Sequence, residues 1–261
     1  MEKMKLGIMG PLGRMGKSII SEARNFNKIS ISAFCEQKGH PKVGSKIDGI
    51  EVLDSTQQFI SSCDVIIDFS QPKATINLLK DLQKQSSTAL ITGTTGFSKN
   101  EEKKFYQFAQ GLKVLRASNM SMGICLLTRI SNIVSSKIGK SVDIEIIESH
   151  HKLKKDSPSG TAISLGEAVK KGRKNYEKNT FVYRGLNFNQ ERKKGEIGFS
   201  SIRGGDVVGE HSVIFFMNGE RLELTHKATE REIFSRGSLN AALWIKNQKP
   251  GLYNMQDMIE F

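Results

Sequence analysis

Residues 145–162 read EIIESHHKLKKDSPSGTA and combine the end of a strand, a cationic loop and the start of a helix. Apolar and acidic side chains alternate from Val142 to Ile146, which is the period of a half-buried strand, and residues 147–149 carry this strand to its end at His150. Two histidines and three lysines follow before a Ser-Pro turn. Apolar residues then recur at helical spacing, and we predict a helix that is capped by Ser159 or Thr161.

This order of residues predicts an anion site. The free N–H groups of the predicted helix point back at the cationic loop, and a helix N-terminus with cations nearby attracts anions. A histidine beside a bound anion can exchange a proton near neutral pH. We therefore expect a carboxylate or phosphate ligand next to a proton-transfer group, whereas composition alone favours a solvated basic loop.

The composition bounds the class of protein. The 261 residues fit one large domain or two modest ones, and we predict two. Hydrophobic residues at 38% and charged residues at 25% are typical of a globular protein. Neither a membrane span nor a secretory signal is recognisable, so we expect a cytoplasmic protein without a membrane partner.

Charge and cysteine spacing exclude further classes. The net charge of +12 is compatible with nucleic-acid binding, but the basic residues are spread along the chain without interleaved aromatics. An acidic small-molecule ligand explains the charge as well, and we predict no nucleic-acid partner. Cys35, Cys63 and Cys125 are odd in number and widely spaced, so we predict reduced core cysteines and no metal site.

A glycine-rich turn, GPLGRMG at residues 10–16, follows a short apolar strand and leads into a helix. Glycines there let the backbone approach a pyrophosphate on the helix N-terminus. Pro11 replaces the first glycine of the generic G-x-G-x-x-G pattern, so a plain tight turn stays open as an alternative. Glu36 ends the next predicted strand, twenty residues after Gly16, where a dinucleotide fold places an acid for the ribose hydroxyls.

The order of elements predicts the fold class and the domains. Strands and helices alternate as β-α-β-α through the first part of the chain, with a hydroxyl-rich TGTTG turn after the fourth strand. Mostly β residues follow later, with a hairpin at Asn218-Gly219, before a final helical segment. We predict an α/β fold with a Rossmann-like dinucleotide-binding domain and an α+β substrate-binding and oligomerisation domain: residues 1–121 with 233–261, and residues 122–232.

Residues 148–162 resemble the signature of the dihydrodipicolinate reductase family, E-x-HH-x-x-K-x-D-x-PSGTA, and fill every fixed position of it. The turn at residues 10–16 also matches this family's G-x-x-G-R-M-G, and the resemblance covers essentially the whole chain. It implies an NAD(P)H-dependent reduction of 4-hydroxy-tetrahydrodipicolinate in the diaminopimelate route to lysine. In this family a cyclic dicarboxylate loses water and is then reduced by hydride transfer from NADH or NADPH. The family also suggests a homotetramer built through the sheet of the second domain.

The resemblance assigns roles to individual residues. His150 and Lys154 hold the catalytic positions, and the substrate carboxylates are assigned to His151, Gly160 and Thr161. The cofactor is assigned to the glycine turn, the end of the second strand and two later turns: Gly10, Pro11, Leu12, Gly13, Arg14, Met15, Gly16, Glu36, Gln37, Gly93, Thr94, Thr95, Ser118, Asn119, Met120 and Ser121. Met120 departs from the family's usual N-F-S at the last of these turns.

Position 37 bears on the choice of cofactor. Family members that accept NADPH well commonly have an arginine after the ribose-binding acid, where this chain has Gln37 and then Lys38. A glutamine supplies no charge for a 2′-phosphate, and a lysine lacks the planar fork of arginine. We expect both cofactors to work, with NADH favoured or the two nearly equal.

Two rival functions are weighed against this one. Another two-domain NAD(P)-dependent dehydrogenase, acting on an amino acid, would share the glycine turn and Glu36 but not the His-His to Thr-Ala run. A dinucleotide-sensing protein that binds nucleic acid would use the positive charge. The loop from Arg203 to Asp206 also resembles the family, and His211 is predicted to be a structural residue at a strand edge.

Overall fold

The structure, a computed structural model, describes residues 2–84, 87–139, 141–173, 180–186 and 188–259. Its strands and helices follow each other along the chain in this order: β1 (Met4–Met9), α1 (Arg14–Ala23), β2 (Ile29–Cys35), β3 (Lys46–Ile47), β4 (Ile50–Leu53), α2 (Thr56–Ser61), β5 (Val65–Asp68), α3 (Pro72–Leu82), β6 (Ala89–Thr92), α4 (Lys99–Ala109), β7 (Lys113–Arg116), α5 (Met122–Lys137), β8 (Asp143–His150), α6 (Gly160–Gly172), β9 (Thr180–Tyr183), β10 (Glu196–Arg203), β11 (Gly209–Met217), β12 (Glu220–Ala228), α7 (Glu232–Ile245), β13 (Gly251–Tyr253) and a 3₁₀ helix (Met255–Met258).

The chain forms two compact units. Unit 1 consists of Met1–Ser121 and Glu232–Phe261, and unit 2 consists of Met122–Arg231. Residues 1, 85, 86, 260 and 261 of the predicted first domain lie outside the described residues.

Unit 1 is built on a sheet with the strand order β13-β7-β6-β5-β1-β2-β4-β3. Its neighbouring strands are parallel, except for the short antiparallel pair of β3 and β4. β5 is buried along its whole length, as its continuous apolar run predicts. The predicted α/β, Rossmann-like fold of this part of the chain is confirmed. The strand order reverses at β1, and parallel sheets of this kind bind ligands beside such a reversal, at the carboxyl ends of the strands.

One detail of the predicted alternation is wrong. Between β2 and β5 the chain forms the β3–β4 hairpin and the short helix α2, whereas the alternation predicts no strands there. The hairpin turns at Asp48 and Gly49, both with positive φ (49° and 82°). β3 has two residues and β4 has four, which is too short for a recognisable periodicity.

Unit 2 has a mixed sheet with the order β12-β11-β8-β10-β9, and α5 and α6 share one hydrophobic core with it. The α+β prediction for this part is confirmed, as is the hairpin at Asn218-Gly219, where Met217 pairs with Glu220. Along β8 every second residue is buried, and the residues between them are partly exposed. Glu148 and His150 therefore lie on the same face as the core residues of this strand.

The cysteines agree with their prediction, since Cys35, Cys63 and Cys125 are free and buried. Burial raises the pKa of the Cys35 and Cys63 thiols to about 12. Within the described ranges, no helix is both long and apolar enough to cross a membrane. In the same part of the chain, no group of three or more His, Cys, Asp or Glu is placed to hold a metal ion.

Candidate active site

The glycine turn of unit 1 follows β1 at the carboxyl edge of the sheet. Gly10 has a φ of +73°, which glycine adopts without strain. A Cβ on Gly16 would lie 2.2 Å from the carbonyl oxygen of Gly10, so α1 packs directly on the turn. The N-cap, Gly13, offers no side chain to the first helical turn, whose N–H groups have no acceptor within the helix. This geometry fits the pyrophosphate of a dinucleotide.

Glu36 follows β2 at the same edge of the sheet. Its amide donates to the carbonyl of Leu53 at 2.8 Å, and its carboxylate accepts from the amide of Gln37 at 3.1 Å. Glu36 is half-buried, whereas Gln37 and Lys38 are exposed. The acid is thus fixed at the end of its strand, and the next two side chains face solvent.

A fully buried carboxylate, Asp68, ties the ends of β5 and β6 together. Its Oδ2 accepts hydrogen bonds from the hydroxyls of Thr75 (2.5 Å), Thr92 (3.0 Å) and Thr94 (3.2 Å). Its Oδ1 accepts from the amide and the hydroxyl of Ser70, at 2.9 and 2.5 Å. Thr94, a predicted cofactor residue, therefore turns its hydroxyl into the protein, whereas Thr95 is exposed.

The turn after β7 contains the last predicted cofactor residues. Ser118 is exposed, and the side-chain oxygen of Asn119 accepts from the amide of Ser121 at 2.8 Å. Met120 is 1% exposed, and a Cβ on Gly237 of α7 would lie 1.7 Å from its carbonyl oxygen. Met120 is thus buried, and Ser118 is the exposed residue of this turn.

In unit 2, a buried ionic cluster surrounds the end of β8. The His150 Nδ1 lies 2.5 Å from Oε2 of Glu148. Arg203, at the end of β10, donates to both oxygens of the same carboxylate, at 2.8 and 2.7 Å. The register of the parallel β8–β10 pair places Arg203 directly opposite His150. The imidazole of His150 on β8 and the guanidinium of Arg203 on β10 therefore bind the same carboxylate, that of Glu148.

Ser159 connects this cluster to the start of α6. Its amide donates to Glu148 at 3.3 Å, and its hydroxyl accepts from the amide of Ala162 at 3.1 Å, so it is the helix cap. The hydroxyl also lies 3.1 Å from Nε2 of His211. Gly160 is exposed, and a Cβ there would meet no heavy atom within 4 Å. The N-terminus of α6 is thus held beside the cluster and is open at Gly160.

The prediction that His211 lies at a strand edge is wrong. β11 is an interior strand between β12 and β8, and His211 is 4% exposed. Its ring packs edge to face against the ring of His150, with centroids 5.0 Å apart. Sequence alone names no partner for it, because its contacts come from the pairing of β11 with β8 and from the loop before α6.

The loop between β8 and α6 carries the remaining predicted residues. The Lys154 Nζ forms an ion pair with Asp156 at 2.9 Å, and the Lys154 amide donates to the carbonyl of His151 at 3.1 Å. The Asp156 side chain is 61% exposed. The peptide bond between Ser157 and Pro158 is cis. His150, His151, Lys154, Gly160 and Thr161 therefore lie on one continuous strand end, loop and helix start.

Burial and the ionic partners set the protonation of the cluster. Burial pushes the pKa of Glu148 upward, but hydrogen bonds from Arg203, Ser201 and His150 outweigh it and hold the pKa at about 2. Burial also lowers the pKa of His150, and its bond to Glu148 only partly offsets this. Burial, with the adjacent His150, lowers the pKa of His211 to about 4. At neutral pH, two uncharged imidazoles lie next to a charged carboxylate.

Comparison with known proteins identifies the family. The family model "Dihydrodipicolinate reductase, N-terminus" matches residues 4–120, and "Dihydrodipicolinate reductase, C-terminus" matches residues 123–259. The 4-hydroxy-tetrahydrodipicolinate reductase of Geotalea uraniireducens is 40% identical, with 98% of each chain covered. The enzyme of the same name from Pelagibacter ubique is 38% identical over the full length of both chains.

A solved structure shows the same fold. It is the dipicolinate-bound dihydrodipicolinate reductase from Paenisporosarcina sp. TG-14, with a TM-score of 0.80 and 21% identity, covering 98% of this chain and 100% of its own. The Rossmann-like unit of this family implies a pyridine nucleotide cofactor, which the glycine turn and Glu36 fit. On these matches, the chain belongs to the dihydrodipicolinate reductase family.

Proposed function

We propose that this chain reduces 4-hydroxy-tetrahydrodipicolinate to tetrahydrodipicolinate in the diaminopimelate route to lysine. The substrate loses water, and its unsaturated ring then takes up a hydride and a proton. The observation that carries this proposal is the buried pair of Glu148 and His150 beside the N-terminus of α6, in a chain of this family. Family membership favours neither a dehydrogenase acting on an amino acid nor a dinucleotide-sensing nucleic-acid-binding protein.

His150 and Lys154 are the proposed catalytic residues. The imidazole of His150 exchanges the proton, since it is uncharged at rest and is hydrogen-bonded to a carboxylate. The ammonium of Lys154 supplies positive charge and a hydrogen bond to the substrate as the hydride arrives. Its ion pair with the exposed Asp156 is of the kind that contributes only about 0–1 kcal/mol, so a substrate carboxylate can replace it.

The substrate carboxylates are proposed to bind to His151, Gly160 and Thr161. The amide of Gly160 belongs to the first turn of α6, where no carbonyl within the helix is available and the helix dipole favours an anion. Ser159 already satisfies the amide of Ala162. The absence of a side chain at Gly160 lets a carboxylate come close to the backbone.

Unit 1 is proposed to bind the cofactor through the glycine turn, Glu36 and the turns after β6 and β7. A bound reduced nicotinamide dinucleotide supplies the hydride. The first turn of α1 holds the pyrophosphate, and Glu36 accepts hydrogen bonds from the ribose hydroxyls. The nicotinamide half is assigned to residues 93–95 and 118–121, where Thr95 and Ser118 offer exposed side chains.

Turnover of enzymatically made substrate tests the proposal. We expect loss of reduced-nicotinamide absorbance that depends on both the substrate and the chain, with formation of tetrahydrodipicolinate. The His150→Gln variant, purified in the same way, controls for a contaminating reductase. No oxidation of either NADH or NADPH by the folded wild-type chain would refute the proposed function.

The cofactor preference is proposed to be NADH or nearly equal use of NADH and NADPH. Glu36 repels a 2′-phosphate unless a cation lies beside it, and Gln37 supplies none. Lys38 is exposed and provides a point charge without the fork of arginine. Gln37→Arg should shift the ratio of catalytic efficiencies towards NADPH. A strong preference of the wild type for NADPH would contradict this assignment.

A homotetramer through the sheet of unit 2 is also proposed. Phe216 of β11 and Ile202 of β10 both lie on the face of the sheet opposite the core, and each is more than a third exposed. Exposed apolar groups on one face of a sheet are typical of a surface that another copy covers. Light scattering of the purified chain tests this, and a monomeric mass at micromolar concentration would exclude it.

A further inference from the structure

Glu148 is surrounded by donors. Its side chain is fully buried, and its two oxygens together accept from His150, twice from Arg203 and from the amide of Ser159. A carboxylate in this setting stays unprotonated, because each neighbour offers a hydrogen and Arg203 adds a permanent positive charge. The hydrogen between Glu148 and His150 therefore belongs to Nδ1 of the imidazole.

The other ring nitrogen of His150 faces a position without a side chain. A Cβ on Gly209 would lie 3.0 Å from His150 Nε2, which is tighter than an ordinary contact. Glycine at the start of β11 therefore keeps that edge of the imidazole clear. Any larger residue there would press on the nitrogen that Glu148 leaves unprotonated.

The neighbouring imidazole is kept from competing for the proton. The Ser159 hydroxyl accepts from the amide of Ala162, so its own hydrogen points to Nε2 of His211. His211 is 4% exposed and packs on the His150 ring, where a second positive charge would be desolvated and repelled. His211 therefore stays uncharged and packs against the ring of His150 without competing for its proton.

We propose that Glu148, itself fixed by Arg203, is the positioning residue of His150: it holds a proton on Nδ1 and thereby assigns the proton exchange with the substrate to Nε2. This inference rests on the proposed function of His150. The neutral resting ring first takes up a proton at Nε2 from solvent, and when the resulting imidazolium gives that proton to the substrate, the neutral ring that remains keeps Nδ1–H on the Glu148 carboxylate. No proton moves to Glu148 in this step.

Glu148 also affects the pH at which His150 titrates. The charged and titratable groups around His150 are Glu148 on its own strand, Arg203 on β10, His211 on β11, and Lys154 with Asp156 in the loop. Of those that act directly on its pKa, Glu148 raises it, whereas Lys154 and Arg203 lower it. Removing the charge of Glu148 should therefore move the pKa of His150 further down.

A measurement of tautomers tests the proposal without any turnover. In ¹⁵N-histidine-labelled, full-length wild-type chain, with His150 assigned by loss of its signals in His150→Gln, the shifts of the ring nitrogens identify the protonated one. We expect Nδ1–H in the wild type and Nε2–H in Glu148→Gln, since an amide nitrogen facing Nδ1 cannot accept its hydrogen. A wild-type His150 protonated on Nε2 would overturn the proposal, and this result does not depend on whether the variant folds.

Kinetics provide the second test. Glu148→Gln should lower kcat by about 10- to 100-fold, the usual effect of losing the partner that orients a histidine, with a smaller change in the substrate KM. In the His150→Gln background the same change should have no further effect, because Glu148 acts only through that ring. An undiminished further loss in the double variant would show that Glu148 acts elsewhere, and the proposal would be wrong.

A matched control lies three residues earlier on the same strand. Glu145 is also paired with arginines, Arg184 at 3.0 Å and Arg192, but it lies on the opposite face of β8, and no histidine in the described part of the chain pairs with it. Glu145→Gln should leave kcat and the His150 tautomer unchanged. If it lowers kcat as much as Glu148→Gln does, the effect belongs to ion pairs of β8 in general and the proposal fails. If no variant and no wild type turns over substrate, the proposed function fails, while the tautomers still decide this inference.

Discussion

In each unit a fully buried carboxylate lies at or near the end of a central strand, and the two are stabilised in different ways. Asp68 ends β5 and accepts hydrogen bonds from four hydroxyls and one amide. Glu148 lies near the end of β8 and is bound by the guanidinium of Arg203, the ring of His150 and one amide. Both satisfy the requirement that a buried charge be fully hydrogen-bonded.

The difference between the donors separates two tasks. Serine and threonine hydroxyls do not titrate near neutral pH, so the Asp68 cluster can only fix geometry, and it joins the ends of β5 and β6 at the proposed cofactor edge. The Glu148 cluster contains an imidazole, which changes its charge in the physiological range. A buried carboxylate therefore indicates proton chemistry only when a titratable group is among its donors.

The largest effect on kcat is expected when His150, the hydrogen-bond partner of Glu148, is replaced. His150→Gln should lower kcat by about 10²- to 10⁴-fold, the usual contribution of a general acid or base, with little change in cofactor affinity. Steady-state kinetics and a titration with reduced nicotinamide measure the two quantities. Near-normal turnover would show that the proton is exchanged at another group, and the assignment of proton chemistry to unit 2 would be lost.

Asp68→Asn should act on stability and cofactor binding instead. The side-chain nitrogen of the new asparagine would face either Ser70 or the three threonine hydroxyls, and it cannot accept their hydrogen bonds. Losing these bonds to a charged acceptor should lower the free energy of unfolding by about 3 kcal/mol. Urea unfolding measures this loss, and the cofactor KM should rise while kcat changes less. Asp81→Asn is a matched control, because Asp81 also accepts from a threonine, Thr56, but its side chain is 28% exposed. An equal loss in both variants would contradict a special role for Asp68.

The folding pattern could be predicted from the sequence because its signals are local. The apolar run of β5 and the period of β8 are visible in a few residues, and both strands are confirmed. The same period, continued past Ile146, places Glu148 and His150 on the covered face of β8. Two ionisable residues in line with core positions are a signal that could have identified the cluster.

The partners in the cluster could not be predicted in this way. Arg203 lies 55 residues after Glu148 and reaches it only because β8 and β10 are parallel and in register. His211 meets Ser159 across 52 residues for a similar reason. The roles of His151, Gly160 and Thr161 stay predictions, since they depend on a ligand rather than on the fold.

His211→Gln tests whether the Glu148 cluster, unlike the Asp68 cluster, makes the stability of the fold depend on pH. The pKa of His211 falls from 6.5 to about 4 on folding, so between these values the unfolded chain binds a proton that the folded chain does not. Stability is therefore lost as pH falls through this window, by about 2 kcal/mol between pH 7 and pH 5. Urea unfolding of the variant should show a pH dependence that is smaller by this amount. An unchanged dependence would mean that His211 is not held neutral by the fold.

The smallest effect concerns a third carboxylate, that of the substrate, which the protein must bind and release. Asp68 and Glu148 are satisfied by donors that the fold supplies permanently, whereas a substrate carboxylate needs donors that the fold leaves accessible. The first turn of α6 provides such donors at Gly160.

A methyl group at Gly160 meets nothing in the protein, so Gly160→Ala should fold as stably as the wild type. The methyl group would, however, occupy the space through which the carboxylate approaches. We expect the substrate KM to rise about tenfold, equivalent to about 1.4 kcal/mol or one hydrogen bond to a charged group. Gly185→Ala, at another exposed glycine with no neighbour within 4 Å, is the matched control and should leave KM unchanged. An unaltered KM in Gly160→Ala would remove the helix N-terminus from the binding site and leave His151 and Lys154 as the groups to which the carboxylates bind.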